Sequence, residues 1–153
     1  NWQTISRLLF SVFYLVNANN GFYEFNNNKI FRPSLCSCGY AYIGCVACDL
    51  KKEKIYTSGI NLYNTDLNHN FKGSMPQVVH AEENTVNKLK PSHKKKPIDI
   101  VVFRTNKNGT SLLMAKSCTH CKSIMNKVLI SKNWKPRKLI FTNENGQLSN
   151  DVW

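Results

Sequence analysis

His80-Ala81-Glu82 and, further along the chain, Cys118-Thr119-His120-Cys121 together supply one imidazole, one carboxylate and two thiols in an order that can do metal chemistry. A catalytic zinc is held by three protein ligands with a fourth position left to water, whereas four ligands close the site and make it structural. One His and two Cys leave that position open. Two intervening residues let both sulfurs reach one ion at the start of a helix, where unpaired N–H groups and the helix dipole favour thiolate. Glu82 follows His80 by two residues, about 200° around a helix of 3.6 residues per turn. It is therefore expected to flank the open position, not to ligate. Taken alone, His80 reads as an ordinary helix histidine. The sequence of His, Glu, Cys and Cys is what makes it a ligand candidate.

Other potential ligands are weaker. Cys45-Val46-Ala47-Cys48 could join Cys118 and Cys121 in a four-cysteine site, but residues three apart on a strand face opposite sides, so buried thiols are the better expectation. Cys36 and Cys38 lie in irregular chain beside Pro33 and Gly39, where a second structural metal or an oxidised pair stays open. His69, His93 and His120 stand in polar surroundings and read as solvated, with His120 alone near the site.

The elements that must position these groups follow from periodicity. Trp2, Ile5, Leu9, Val12 and Val16 fall on one helical face, which favours an amphipathic helix over a signal peptide, and 17–33 reads as a connection. Ala41 to Leu50 and Lys54 to Gly59 form a strand hairpin about the turn Lys51-Lys52-Glu53, followed by a polar loop from Asn64 to Pro76. Val78-Val79 leads into a helix carrying His80, Glu82 and Glu83 in its first turn and Val86 and Leu89 on its apolar face, ending by Lys90. Ile98 to Phe103, apolar except for Asp99, reads as a buried central strand. A turn at Asn106 to Gly109, a strand from Ser111 to Lys116 and a helix bearing Ile124, Met125, Val128 and Leu129 come next. Trp134 and Pro136 are expected to close that helix, before a strand from Lys138 to Thr142 and a turn at Asn143-Glu144-Asn145-Gly146. Strands alternating with helices imply one α/β domain over 1–153, a three-layer α-β-α sandwich with a central mixed sheet of about five strands. Residues 1–35 form its N-terminal helix and connection, and 41–148 its core.

Over 41–148 the order of elements, His80-x-Glu82 and Cys118-x-x-Cys121 resemble the zinc-dependent cytidine, deoxycytidylate and tRNA adenosine deaminase superfamily. The resemblance implies a cytidine deaminase-like fold and Zn²⁺ on His80, Cys118 and Cys121. It implies hydrolytic deamination of a cytosine or adenine base in a nucleotide, a nucleoside or single-stranded nucleic acid, with Glu82 as the catalytic proton carrier. Asn61 matches the family's sugar-binding Asn after the second strand, and the backbone N–H of Ala81 would help to hold the base carbonyl. Members of the superfamily commonly associate, so a homo-oligomer is compatible. Ser117 stands where the family normally has Pro, and the interval from His80 to Cys118 is lengthened by a Lys-rich insertion at Lys88 to Lys96.

The formal charge of +12 favours an anionic partner. The Lys88 to Lys96 stretch, lying between the two halves of the motif, is either a solvated loop or a phosphate-tracking one, with Tyr63, Phe71 and Trp134 available for stacking. No apolar run reaches the length of a membrane span. Cysteines used as metal ligands imply a reducing, intracellular compartment. Ser117 and the basic loop also accommodate a second expectation, a catalytically inactive deaminase-fold protein that binds nucleic acid or is particle-associated.

Overall fold

The structure is a computed structural model that describes residues 42–63, 78–105 and 111–153. In chain order the elements are β1 (Tyr42–Asp49), β2 (Lys54–Ile60), β3 (Leu62–Tyr63), β4 (Val78–Val79), α1 (Ala81–Lys88), β5 (Lys96–Thr105), β6 (Leu112–Leu113), α2 (Thr119–Ser131), β7 (Trp134–Thr142) and β8 (Leu148–Asp151). The main sheet has the order β2-β1-β5-β7-β8, with β6 paired to β5. Only β5 and β7 run parallel, and they are joined through α2, so the sheet is mixed as expected. A small separate ladder pairs β3 with β4.

The apolar run of β5 is buried, with β1 and β7 on its two edges. Ile98, Ile100 and Val102 point to one face, beside Cys45 and Ala47 of β1 and Leu139 and Phe141 of β7. On that face they meet Ala81, Val86 and Leu89 from α1 and its exit, and Met125 and Leu129 from α2. Fully burying a side chain of this size stabilises the fold by roughly 1.5–3 kcal/mol. Val46, Cys48, Val101, Phe103 and Ile140 form the cluster on the opposite face. Both described helices therefore lie on one face, giving two of the three expected layers. The helix expected over 2–16, the connection at 17–33, the loop at 64–76, the turn at 106–109 and Cys36 and Cys38 lie outside the described residues.

Two strand irregularities place side chains that matter below. The β1–β2 register jumps from Ala47↔Thr57 to Cys48↔Ile55, leaving Tyr56 as the extra residue. The β5–β7 register jumps from Ile98↔Pro136 to Asp99↔Lys138, leaving Arg137 as the extra one. Such bulges bend a strand and re-aim one side chain. Tyr56 turns onto Trp134 with ring centroids 4.8 Å apart. Arg137 turns onto two buried acids, donating to Asp49 Oδ1 at 2.8 Å and to both oxygens of Asp99.

Several expected boundaries move. Trp134 and Pro136 do not merely close the second helix: they begin β7, which is 9 residues long. The turn between helix and strand is made by Asn133 in the left-handed region (φ 62°), a conformation Asn tolerates at helix ends. The strand expected from Ser111 to Lys116 is reduced to Leu112–Leu113. Val78–Val79 is a strand, not the helix entrance.

α1 is held close against the hairpin. A Cβ on Gly59 would stand 2.7 Å from the Thr85 hydroxyl and 3.0 Å from the Thr85 backbone nitrogen, so only glycine admits the helix at this distance. The Thr85 hydroxyl lies 2.7 Å from the Ala81 carbonyl and 3.2 Å from that of Cys45, and Asn84 Nδ2 donates to the Ile60 carbonyl at 3.0 Å. At the other end of the helix, Lys132 Nζ donates to the carbonyls of Val86, Asn87 and Leu89 at 2.8, 2.7 and 2.7 Å, satisfying acceptors that a helix end leaves open.

Candidate metal centre

Two helix starts meet beyond the carboxyl ends of β5 and β7. The segment that delivers Cys118 is fixed there by β6 pairing with Arg104 and Thr105, and by the Ala115 N–H donating to the Thr142 carbonyl at 2.8 Å. The open crevice at the carboxyl ends of parallel strands is where α/β sheets generally bind ligands. Cys118 is the N-cap of α2, and its sulfur accepts from the Cys121 N–H at 3.4 Å. His80 is the N-cap of α1. It is extended (φ −64°, ψ 153°), so it precedes the helix and the 200° helical offset from Glu82 does not apply.

The structure brings His80, Cys118 and Cys121 together: their donor atoms lie within 4.8 Å of one another. His80 Nδ1 stands 2.9 Å from Cys121 Sγ and 3.9 Å from Cys118 Sγ. Two such ligands on a tetrahedral zinc stand roughly 3.5–3.8 Å apart, so movements of about an ångström or less would seat an ion. The donor set fits a metal. Cys118 is exposed and Cys121 buried, which puts the group at the surface end of a buried wall.

Burial, then the charge of Glu82, then the neighbouring Cys118 push the Cys121 thiol far up. A metal must displace the thiol proton, which is how thiol sites couple ion binding to proton release.

Glu82 is 4% exposed. The Ser117 hydroxyl, itself in a residue 6% exposed, donates to Glu82 Oε1 at 2.9 Å. In the sequence Ser117 stands out only as a departure from the deaminase pattern, and its place next to Cys118 is the one local sign of a role. The bond ties the turn that carries the cysteines to the carboxylate on the facing helix.

Asn61 leaves the end of β2, and its Oδ1 accepts from the Ala81 N–H at 2.8 Å. The β3–β4 ladder, with Leu62 opposite Val79, brings the two together. Both expected substrate-binding residues thus lie beside the metal group, but in this arrangement they bind each other. A base carbonyl that uses the Ala81 N–H must share it with Asn61.

Cys45 and Cys48 behave as buried thiols. They fall in the two opposite core clusters, and neither belongs to the metal group. Burial, followed by Asp99 and Asp49, pushes the Cys48 thiol up to about 12. The Lys88 to Lys96 stretch, expected between the motif halves, leaves the far end of α1 and binds the far end of α2, with the Ser92 N–H donating to the Lys132 carbonyl at 2.9 Å. It is therefore separated from the metal group by the length of the helices. No helix among the described residues is long and apolar enough to cross a membrane. Comparison with known families, curated proteins and solved structures finds no match for the chain.

Proposed function

We propose that this chain is a zinc-dependent hydrolytic deaminase of the cytidine deaminase superfamily, acting on a cytosine or adenine base in a nucleotide, a nucleoside or single-stranded nucleic acid. The observation that carries the reading is the convergence of His80, Cys118 and Cys121 within 4.8 Å at two helix starts, with the buried carboxylate of Glu82 two residues after His80. These three residues would hold the ion, and zinc bound there supplies a Lewis acid and an activated water. Glu82 is the proton carrier: Ser117 occupies its Oε1, leaving Oε2 to take a proton from water and deliver it to the ring nitrogen. The reaction consumes water, replaces the ring C–NH₂ by C=O and releases ammonia. Asn61 fixes the start of α1 by accepting from the Ala81 N–H; by the family resemblance Asn61 would hold the sugar and the Ala81 N–H the base carbonyl.

The test is metal content together with ammonia release from cytidine, deoxycytidylate, adenosine and single-stranded RNA and DNA, against a Glu82→Ala control. The expected result is one zinc per chain and ammonia release that the control lacks. Zinc without release above the control would replace this reading by the non-catalytic one. Zinc retained after replacement of His80, Cys118 and Cys121 would overturn the site itself.

A further inference from the structure

The end of the sheet at which β5 begins, opposite the metal group, gathers lysines from separate parts of the chain. Lys51, Lys52 and Lys54 belong to the β1–β2 turn and the start of β2, and the Leu50 N–H ties that turn to Asp99 of β5 at 2.9 Å. Lys94, Lys95 and Lys96 lead into β5, whose first residue pairs with Trp134. Lys135 lies opposite Pro97, and Lys90 is anchored there because its carbonyl accepts from Trp134 Nε1 at 3.0 Å. All these lysines are exposed. The acids at this end offset few of them: Asp49 and Asp99 are buried and bound to Arg137, which leaves Glu53 as the exposed acid among the described residues there.

We infer that this pole is a docking surface for the phosphate backbone of a nucleic acid, separate from the metal group. The inference does not rest on the proposed deaminase activity. Three features select the partner. Protein–protein interfaces are depleted in lysine and enriched in aromatic residues and arginine, and this surface is the reverse. Stable attachment to a membrane needs apolar anchors besides charge, and Ile130 is the one exposed large apolar side chain near it among the described residues. Base stacking needs exposed rings, whereas Trp134 is buried and Tyr56 packs against it with Lys54 Nζ 5.5 Å from its ring. What remains is contact with phosphates, which positions a nucleic acid without reading its sequence.

From β2 to β7 the pole spans three strand spacings, about 14 Å. α1 and α2, of 8 and 13 residues, separate it from the metal group by roughly 12–20 Å. A strand held here leaves the crevice at the other end unobstructed. Docking and chemistry are then independent functions of opposite ends.

The experiment is fluorescence anisotropy of a labelled 30-nucleotide single strand across a salt series, with full-length protein. Neutralising about four phosphates gives a log–log salt slope near −3, with each contact worth about fivefold in affinity at 0.1 M salt. Lys94→Gln/Lys95→Gln and Lys51→Gln/Lys52→Gln should each lose about 25-fold and flatten the slope, with unchanged zinc content and thermal melting. Lys116→Gln, an exposed lysine just before the start of α2 at the opposite end of the domain, should stay within twofold. Equal loss in that control, no loss in either pole variant, or equally tight binding of polyglutamate or of phosphatidylserine vesicles overturns the assignment. Absence of ammonia release leaves it standing, and absence of strand binding leaves the deaminase reading standing.

Discussion

Replacing Ser117 with Ala removes a single hydroxyl from a place where water cannot readily substitute, since Ser117 and Glu82 are 6% and 4% exposed. The lost interaction is a 2.9 Å hydrogen bond to a carboxylate, a class worth about 1.5–3 kcal/mol. For a domain of this size each kcal/mol moves the melting temperature by about 2–4 °C, so Ser117→Ala should melt about 3–12 °C lower. A urea-unfolding cycle of Ser117→Ala, Glu82→Ala and the double variant isolates the pair, with an expected coupling of at least about 1 kcal/mol. Additivity within about 0.5 kcal/mol would mean that Ser117 does not hold Glu82. Metal content should be unchanged, because the hydroxyl is not among the converging donors. If the deaminase reading holds, kcat should fall about ten- to a hundredfold with KM little altered, since 1.36 kcal/mol of barrier is tenfold in rate. Ser117→Thr, which keeps the hydroxyl, should recover most of both effects. A kcat loss that Thr does not recover refutes the positioning role.

Three further expectations concern the frame around the site. Burial pushes the Asp49 carboxyl up, but hydrogen bonds from Arg137 and the Lys52 and Lys51 N–H groups hold it below its ordinary value. That stabilisation is therefore present above the unfolded carboxylate range near pH 4 and is lost as pH falls through the lower folded value. Arg137→Ala should cost about 3 kcal/mol at pH 7 in urea unfolding, with the deficit shrinking towards pH 3 because burial then favours the protonated acid; a pH-independent deficit would contradict the account. Lys132→Met should speed amide exchange in the last turn of α1 while leaving β5 protected, and equal loosening of both would show that the carbonyl contacts are not local. Asn61→Ala removes the acceptor for the Ala81 N–H and should cost about 1 kcal/mol of stability; a value near zero would show that this cap is not formed.

What could be read in the sequence is what depends on spacing alone. His80, Cys118 and Cys121 meet because each stands at a helix start, and helix starts are marked locally. The opposite facing of Cys45 and Cys48 follows from the two-residue repeat of a strand. What depends on distant partners was not legible. Pro136 looks like a stop, yet it occupies a strand beside a bulge, where a missing N–H is tolerated. The same bulge turns Arg137 towards acids 38 and 88 residues away in the chain. Ser117 looks like a defect until the helix that carries Glu82 is packed against it.

The lysine stretch shows most clearly why position in the chain misleads. It lies between His80 and Cys118 in sequence, which suggests a place beside the metal group. Both helices, however, start at that group and run away from it. The segment leaving the first helix, the segment leaving the second and the start of β5 must therefore share the opposite end. The β1–β2 turn joins them because β1 runs antiparallel to β5, with Cys48 opposite Asp99. The topology that brings the three candidate ligands together at one end thus also collects scattered lysines at the other, and for the lysines the sequence carries no local signal.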